Sequence, residues 1–164
     1  MKVVFLDIDG VLNAHEDLHP DVMCGQIHSN KVAYLNQILE RTGAKLVLSS
    51  AWRYLIHRKE MDLVGLGWLL RSHGIYQDRL IGITRPDTMV DIADSDKIPI
   101  PLMDERGEQI SDWLKEHPEC ERYVVLDDLD LGISEAKHPF VLVDGSVGLT
   151  EQNVEAAISI LQEK

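Results

Sequence analysis

The chain has 164 residues, the length of one domain on a prior of roughly 100 to 200 residues per domain, so a single unit spanning 1–164 with one core is expected rather than two catalytic domains. With 45% hydrophobic and 27% charged residues it has an ordinary globular composition, and no stretch reaches the roughly 18 uninterrupted apolar residues of a membrane span. Its 28 acidic and 16 basic residues give a net charge of −12, which speaks against a broad nucleic-acid-coating surface but leaves room for a local basic pocket. Cys24 and Cys120 have no C-x-x-C spacing and read as free thiols. The apolar run before Asp7 is too short for a signal-peptide core, so a cytoplasmic location is expected.

Val3 to Leu6 is a short β-branched and aromatic run followed by Asp-x-Asp-Gly, the pattern of a strand buried on both faces. Asn13 to His28 is polar and His-rich, with Pro20 and Gly25, and reads as a loop or small β-hairpin over the site. A helix follows, capped by Ser29, with Val32, Leu35, Ile38 and Leu39 at the 3.6 period and Thr42-Gly43 as its stop. Lys45 to Leu48 is a second strand, ending in Ser49-Ser50. Leu55 to Ser72 has helical periodicity that Gly65 and Gly67 threaten to divide, and Gly82 to Asp104, with three prolines, reads as irregular surface. Glu108 to Glu116 is a helix with Ile110, Trp113 and Leu114 on one face. Strands at Tyr123 to Leu126 and Phe140 to Val143 end in Asp127-Asp128 and Asp144-Gly145, and a last helix covers Glu151 to Gln162. Alternating helices and wholly apolar strands predict a doubly wound α/β fold around a parallel sheet, with ligands bound beyond the carboxyl ends of its strands.

The chemistry-bearing groups collect at those ends. Asp7 and Asp9 stand one residue apart just past the first strand, with Gly10 allowing a sharp turn or close approach. Asp127 and Asp128 bring further carboxylates, and a set of carboxylate, carbonyl and water oxygens suits Mg²⁺ rather than Zn²⁺. An isolated D-x-D is also what a solvated strand end looks like; the second acidic pair and the intervening serine make the difference.

These residues resemble the haloacid dehalogenase superfamily of aspartyl phosphatases. The resemblance rests on Phe5-Leu6-Asp7-Ile8-Asp9-Gly10-Val11-Leu12, on Leu46-Val47-Leu48-Ser49 and on Val124-Val125-Leu126-Asp127-Asp128, in that order. Leu48-Ser49-Ser50-Ala51-Trp52-Arg53, with Arg106-Gly107-Glu108-Gln109-Ile110 and Trp113-Leu114, is similar to the phosphatase module of polynucleotide kinase-phosphatases, the branch attached to nucleic-acid end repair. The resemblance implies a Rossmann-like phosphatase with Asp7 as nucleophile, Asp9 as general acid and base, and Ser49 as a donor to the phosphoryl group; the short interval between the first two motifs leaves no room for a large cap there, while Tyr54 to Asp104 leaves room for a modest helical cover. It also implies Mg²⁺ held by Asp7, the Asp9 carbonyl and one of Asp127 and Asp128, with Asp128 the usual ligand and Asp127 orienting its neighbours. Asp9 separates phosphoryl transfer from carbon–halogen cleavage, because the dehalogenases lack it.

The third motif's cation has no Lys at an obvious position. Arg106, just before the helix leading into the fourth motif, is the choice, with Lys97 and Arg85 in reserve. Ser50, Arg53 and Gly10 are candidates for the phosphate-binding wall, Arg53 being equally readable as a salt-bridged surface arginine, and Trp52 reads as core before it reads as a stacking platform. His15, His19 and His28 are irregularly spaced, lack an i,i+4 pair and read as loop histidines rather than zinc ligands. The expected partner is a phosphorylated substrate, with an oligonucleotide or nucleotide end first and a small phosphorylated metabolite second. A receiver-like domain fits poorly, since its adjacent acid pair would come first, and a silent binding module fits poorly because every reactive group is present.

Overall fold

A computed structural model describes residues 1–17, 26–90, 100–101 and 105–163. Five parallel strands form one sheet: β1 (Lys2–Leu6), β2 (Lys45–Leu48), β3 (Leu80–Ile83), β6 (Arg122–Asp127) and β7 (Phe140–Leu142), in the spatial order β3-β2-β1-β6-β7. A separate two-stranded antiparallel ribbon pairs β4 (Met89–Val90) with β5 (Ile100–Pro101). The helices are α1 (Ser29–Thr42), α2 (Tyr54–His57), α3 (Leu63–Ser72), α4 (Arg106–Glu116) and α5 (Glu151–Gln162). The fold is the doubly wound α/β class expected from the sequence, with no large cap among the described residues. No described helix is long and apolar enough to cross a membrane.

Strand alternation explains how one sheet serves two cores. Val4 and Leu6 of β1, Leu46 and Leu48 of β2 and Val124 and Leu126 of β6 face the larger core with α1, α3 and α5. Val3, Phe5, Val47 and Val125 face a smaller core built on Ile110 and Trp113 of α4. Phe5 is fully buried and meets Trp113 edge to face at 5.3 Å and Tyr123 likewise at 5.8 Å. A buried side chain of this size stabilises the fold by about 1.5–3 kcal/mol through area alone.

Several expectations need correction. Leu80–Ile83 is a strand, although the sequence around it reads as irregular surface. Trp113 explains the glycine within it, since a Cβ on Gly82 would lie 3.3 Å from the indole Nε1. The long helix over 55–72 is two helices, and the break falls before the glycines. Lys59 adopts φ 59°, and the Asp62 carboxylate accepts from Gly65 N at 2.7 Å, capping a new start. Helix α4 begins at Arg106, two residues earlier than its periodicity suggests. His28, rather than Ser29, occupies the N-cap position of α1, while Gly43 ends that helix as expected, at φ 70° with its N–H on Leu39 O. Within Asn13 to His28 the structure shows a 3-10 turn at His15–Asp17; the proposed hairpin beyond it, with His19 and Cys24, lies outside the described residues, as does Lys97.

Candidate active site

The chain runs outward from β1 to β2 and β3 on one side and then to β6 and β7 on the other, so strand order switches between β1 and β6. In open α/β sheets this crevice at the carboxyl ends is where ligands bind. Leu6 is in register with both Leu48 and Leu126, which sets Asp7 beside Ser49 on one flank and Asp127 on the other. The ladder continues past the strands: Asp7 N donates to Leu126 O at 2.9 Å and Ser49 N to Leu6 O at 3.0 Å.

Oxygens from Asp7, Asp127 and Asp128 lie within 4.8 Å of one another. Arg106 Nη1 stands 3.3 Å from Asp7 Oδ1 and forms an ion pair and hydrogen bond with Asp127 Oδ2. Asp127 also accepts from Leu129 N at 3.0 Å. Helix α4 reaches this point because Gly107 lets its first turn press against the loop after β6: a Cβ there would lie 2.2 Å from Gly132 O. Burial pushes the Asp7 carboxyl well above the usual carboxylate range; Arg106 opposes this, while Asp127, Asp128 and Asp9 add to it. Burial likewise raises Asp127 against the pull of Arg106. Burial works against the charge on Arg106, but Asp7 and Asp127 outweigh it and hold the guanidinium more firmly protonated than usual.

Three carboxylates facing one guanidinium leave an excess of negative charge in a buried place, which a cation would relieve. The all-oxygen donor set fits a hard divalent ion. The neighbouring Ser49 hydroxyl is fully buried and has no hydrogen-bond partner, which is costly unless a ligand completes it. Together these features could hold a divalent cation beside an anionic group.

The loop after β1 is shaped from within. Asn13 accepts from Gly10 N at 2.7 Å through Oδ1 and donates through Nδ2 to Asp9 Oδ1 at 3.1 Å, which holds the half-buried Asp9 side chain at the edge of the cluster. Gly10, at φ 81°, has its N–H engaged by Asn13, and a Cβ there would lie 2.6 Å from Asp128 Cγ. It makes room for Asp128 instead of offering its N–H to a phosphate. Ser50 is buried and caps the following turn, its Oγ accepting from Trp52 N at 3.0 Å. Trp52 is core, as expected.

For Arg53 the structure shows the salt-bridged alternative, buried rather than at the surface. It is 1% exposed, and each of its five N–H groups has a protein acceptor. Nη1 donates to Ser49 O and Ser50 O, both at 2.8 Å; Nε donates to Arg85 O at 3.3 Å; Nη2 donates to Asp87 Oδ1 at 2.8 Å and Gln109 Oε1 at 3.5 Å. With no donor left for a phosphate, Arg53 braces the Ser49-Ser50 turn from behind. Asp87 is held in turn by Tyr54 Oη at 2.5 Å and Gln109 Nε2 at 2.7 Å. Arg85, a reserve cation in the sequence reading, is paired with Glu105 and Asp112.

The sequence reading passed over Asn13 and took His15 for a loop histidine without a partner. Asn13 follows D-x-D-G closely enough to suggest a loop brace, whereas His15 acquires its partner, Asp128, only through the fold.

A doubly wound sheet with an acid triad, an arginine and an orphaned serine hydroxyl at its switch point has the architecture of a HAD-like domain. A family model described as the HAD domain in Swiss Army Knife RNA repair proteins matches residues 3–154, and the chain belongs to that family. No curated protein and no solved structure gives a significant match.

Proposed function

We propose that the protein is a Mg²⁺-dependent phosphomonoesterase that removes a terminal phosphate from an RNA or nucleotide end through an aspartyl-phosphate on Asp7. The observation that carries this reading is the juxtaposition of Asp7 with the unpartnered Ser49 hydroxyl, Arg106 and the Asp127-Asp128 pair at one strand-order switch, in a chain whose family is found in RNA repair proteins.

Asp7 attacks phosphorus; the Asp7–phosphorus bond forms as the bond to the leaving oxygen breaks, and Asp9 delivers a proton to that oxygen. Asp9 then accepts a proton from water, whose oxygen displaces Asp7 and releases inorganic phosphate. Ser49 donates its hydroxyl hydrogen to a phosphoryl oxygen, and Arg106 meets the negative charge that builds on the transferring group. Asp7 and Asp128, with the Asp9 carbonyl, would hold the Mg²⁺. When bound there, the ion would keep Asp7 ionised and neutralise charge on the phosphoryl oxygens. The absence of a large cap among the described residues supports a polymer end over an enclosed metabolite.

Steady-state kinetics on 3′- and 5′-phosphorylated oligoribonucleotides, a mononucleotide and a sugar phosphate, with Mg²⁺ or with chelator, test the assignment. Turnover that requires the ion and is at least as efficient on an oligonucleotide as on the mononucleotide is expected. Preference for the sugar phosphate would overturn the RNA-end assignment, and full activity after exhaustive chelation would overturn the metal.

A further inference from the structure

His15 touches the acid cluster but has no task in the phosphatase cycle. It follows the D-x-D-G loop in the 3-10 turn His15–Asp17, and its Nε2 lies 2.5 Å from Asp128 Oδ2. A carboxylate oxygen can only accept, so Nε2 carries the hydrogen and donates it. The Asp128 side chain is 4% exposed and that of His15 52%, so the ring is the outer member of the pair.

The surroundings are built to seat that ring. His15 N donates to Gly145 O at 2.8 Å, tying the turn to the loop after β7. A Cβ on Gly145 would stand 2.2 Å from His15 Cε1 and 2.4 Å from Nε2, and one on Gly10 would stand 2.8 Å from Nε2. Gly145 has no positive φ, so backbone conformation does not demand glycine there; the close approach of the ring does.

We infer that His15 is a positioning residue for Asp128: it fixes one carboxylate oxygen so that the other is presented to the cation shared with Asp7. This rests on the metal-dependent reading above. It also divides the adjacent acids by their partners, since Asp127 is held by Arg106 and Leu129 N, whereas Asp128 is held by His15. An oriented carboxylate loses less rotational freedom when it binds an ion, and groups that orient metal ligands typically contribute about 10- to 100-fold in affinity.

The test is Mn²⁺ binding to the metal-stripped protein by calorimetry, with thermal unfolding of each variant alongside. His15→Ala should weaken Mn²⁺ binding about tenfold while leaving the metal-free Tm nearly unchanged, because the ring is half exposed. His15→Gln, whose amide can donate to the same oxygen, should recover most of the loss, which a purely space-filling role would not predict. Gly145→Ala, which displaces the ring without removing it, should weaken binding as well. Wild-type affinity in His15→Ala, with the wild type itself binding Mn²⁺, would overturn the positioning role and leave the phosphatase reading standing. Failure of the wild type to bind Mn²⁺ would overturn both.

Discussion

Replacing Arg53 with methionine keeps the apolar stem of the side chain but not the guanidinium, and so removes five N–H donors from behind the serine turn. Ser50 O keeps a bond from Arg53 N, and Asp87 keeps Tyr54 and Gln109. Ser49 O and Gln109 Oε1 lose the guanidinium in a buried setting, at about 1–3 kcal/mol each. The half-buried Asp87 also loses its cation, and the total comes to about 3–5 kcal/mol, the usual range for removing one partner of a buried pair. Against a typical domain stability of about 5–15 kcal/mol this is a large loss. Arg53→Lys retains the charge and three N–H groups, so it should lose roughly 1–3 kcal/mol and stay folded for kinetics. Urea unfolding followed by circular dichroism gives both numbers, and kcat/KM of the lysine variant should fall because the Ser49 turn loosens. A methionine variant within 1 kcal/mol of wild type would refute the bracing role. So would a lysine variant of unchanged stability whose only defect is a raised KM, which would return Arg53 to the phosphate.

Three further outcomes follow from the same geometry. Ser49→Ala should leave stability within about 0.5 kcal/mol of wild type, because the lost hydroxyl has no protein partner, yet lower kcat/KM at least about tenfold through the lost bond to a charged phosphoryl oxygen; clear destabilisation with normal kinetics would contradict this. Asp7 has a raised folded-state pKa without metal, so its cost to stability is absent below the ordinary carboxylate pKa of about 4 and grows as pH rises toward and past the raised value. Metal-free Asp7→Asn should therefore have a higher Tm than wild type near neutral pH, with the gap closing toward pH ~4; a gap that widens on acidification would reverse the sign. Gly107→Ala should lose about 1–3 kcal/mol in urea unfolding and lower kcat, since its Cβ would force Gly132 O and the Arg106 turn apart; a silent substitution would show that α4 is not held by this contact.

The sheet was legible wherever a strand is buried on both faces. Val3 to Leu6, Lys45 to Leu48 and Tyr123 to Leu126 are mostly apolar because both sides of the sheet are covered there, and each coincides with an observed strand to within a residue or two at its ends, as does Phe140 to Val143 at the sheet edge, where Leu142 is exposed. β3 escaped because it is an edge strand, partly exposed along its length, and contains a glycine whose reason, Trp113, stands far along the chain. The division of the 55–72 helix was written in Asp62, an N-cap residue, rather than in the glycines that draw the eye. Within the site, strand-end acids and the serine announce themselves by following apolar runs. The duties of Arg53 and His15 do not, because a side chain's donors are assigned by acceptors that only tertiary structure brings near: Asp87 and Gln109 for one, Asp128 for the other.

The central claim, that Asp7 is the group that receives the phosphoryl unit, is tested most directly by rapid acid quench during turnover of a 3′-phosphorylated oligoribonucleotide, followed by peptide mass spectrometry. A phosphate on Asp7, formed within a single turnover and missing from Asp7→Asn, is the predicted result. Turnover with no phosphorylated carboxylate, or with the label on Asp9 or Asp127, would contradict it.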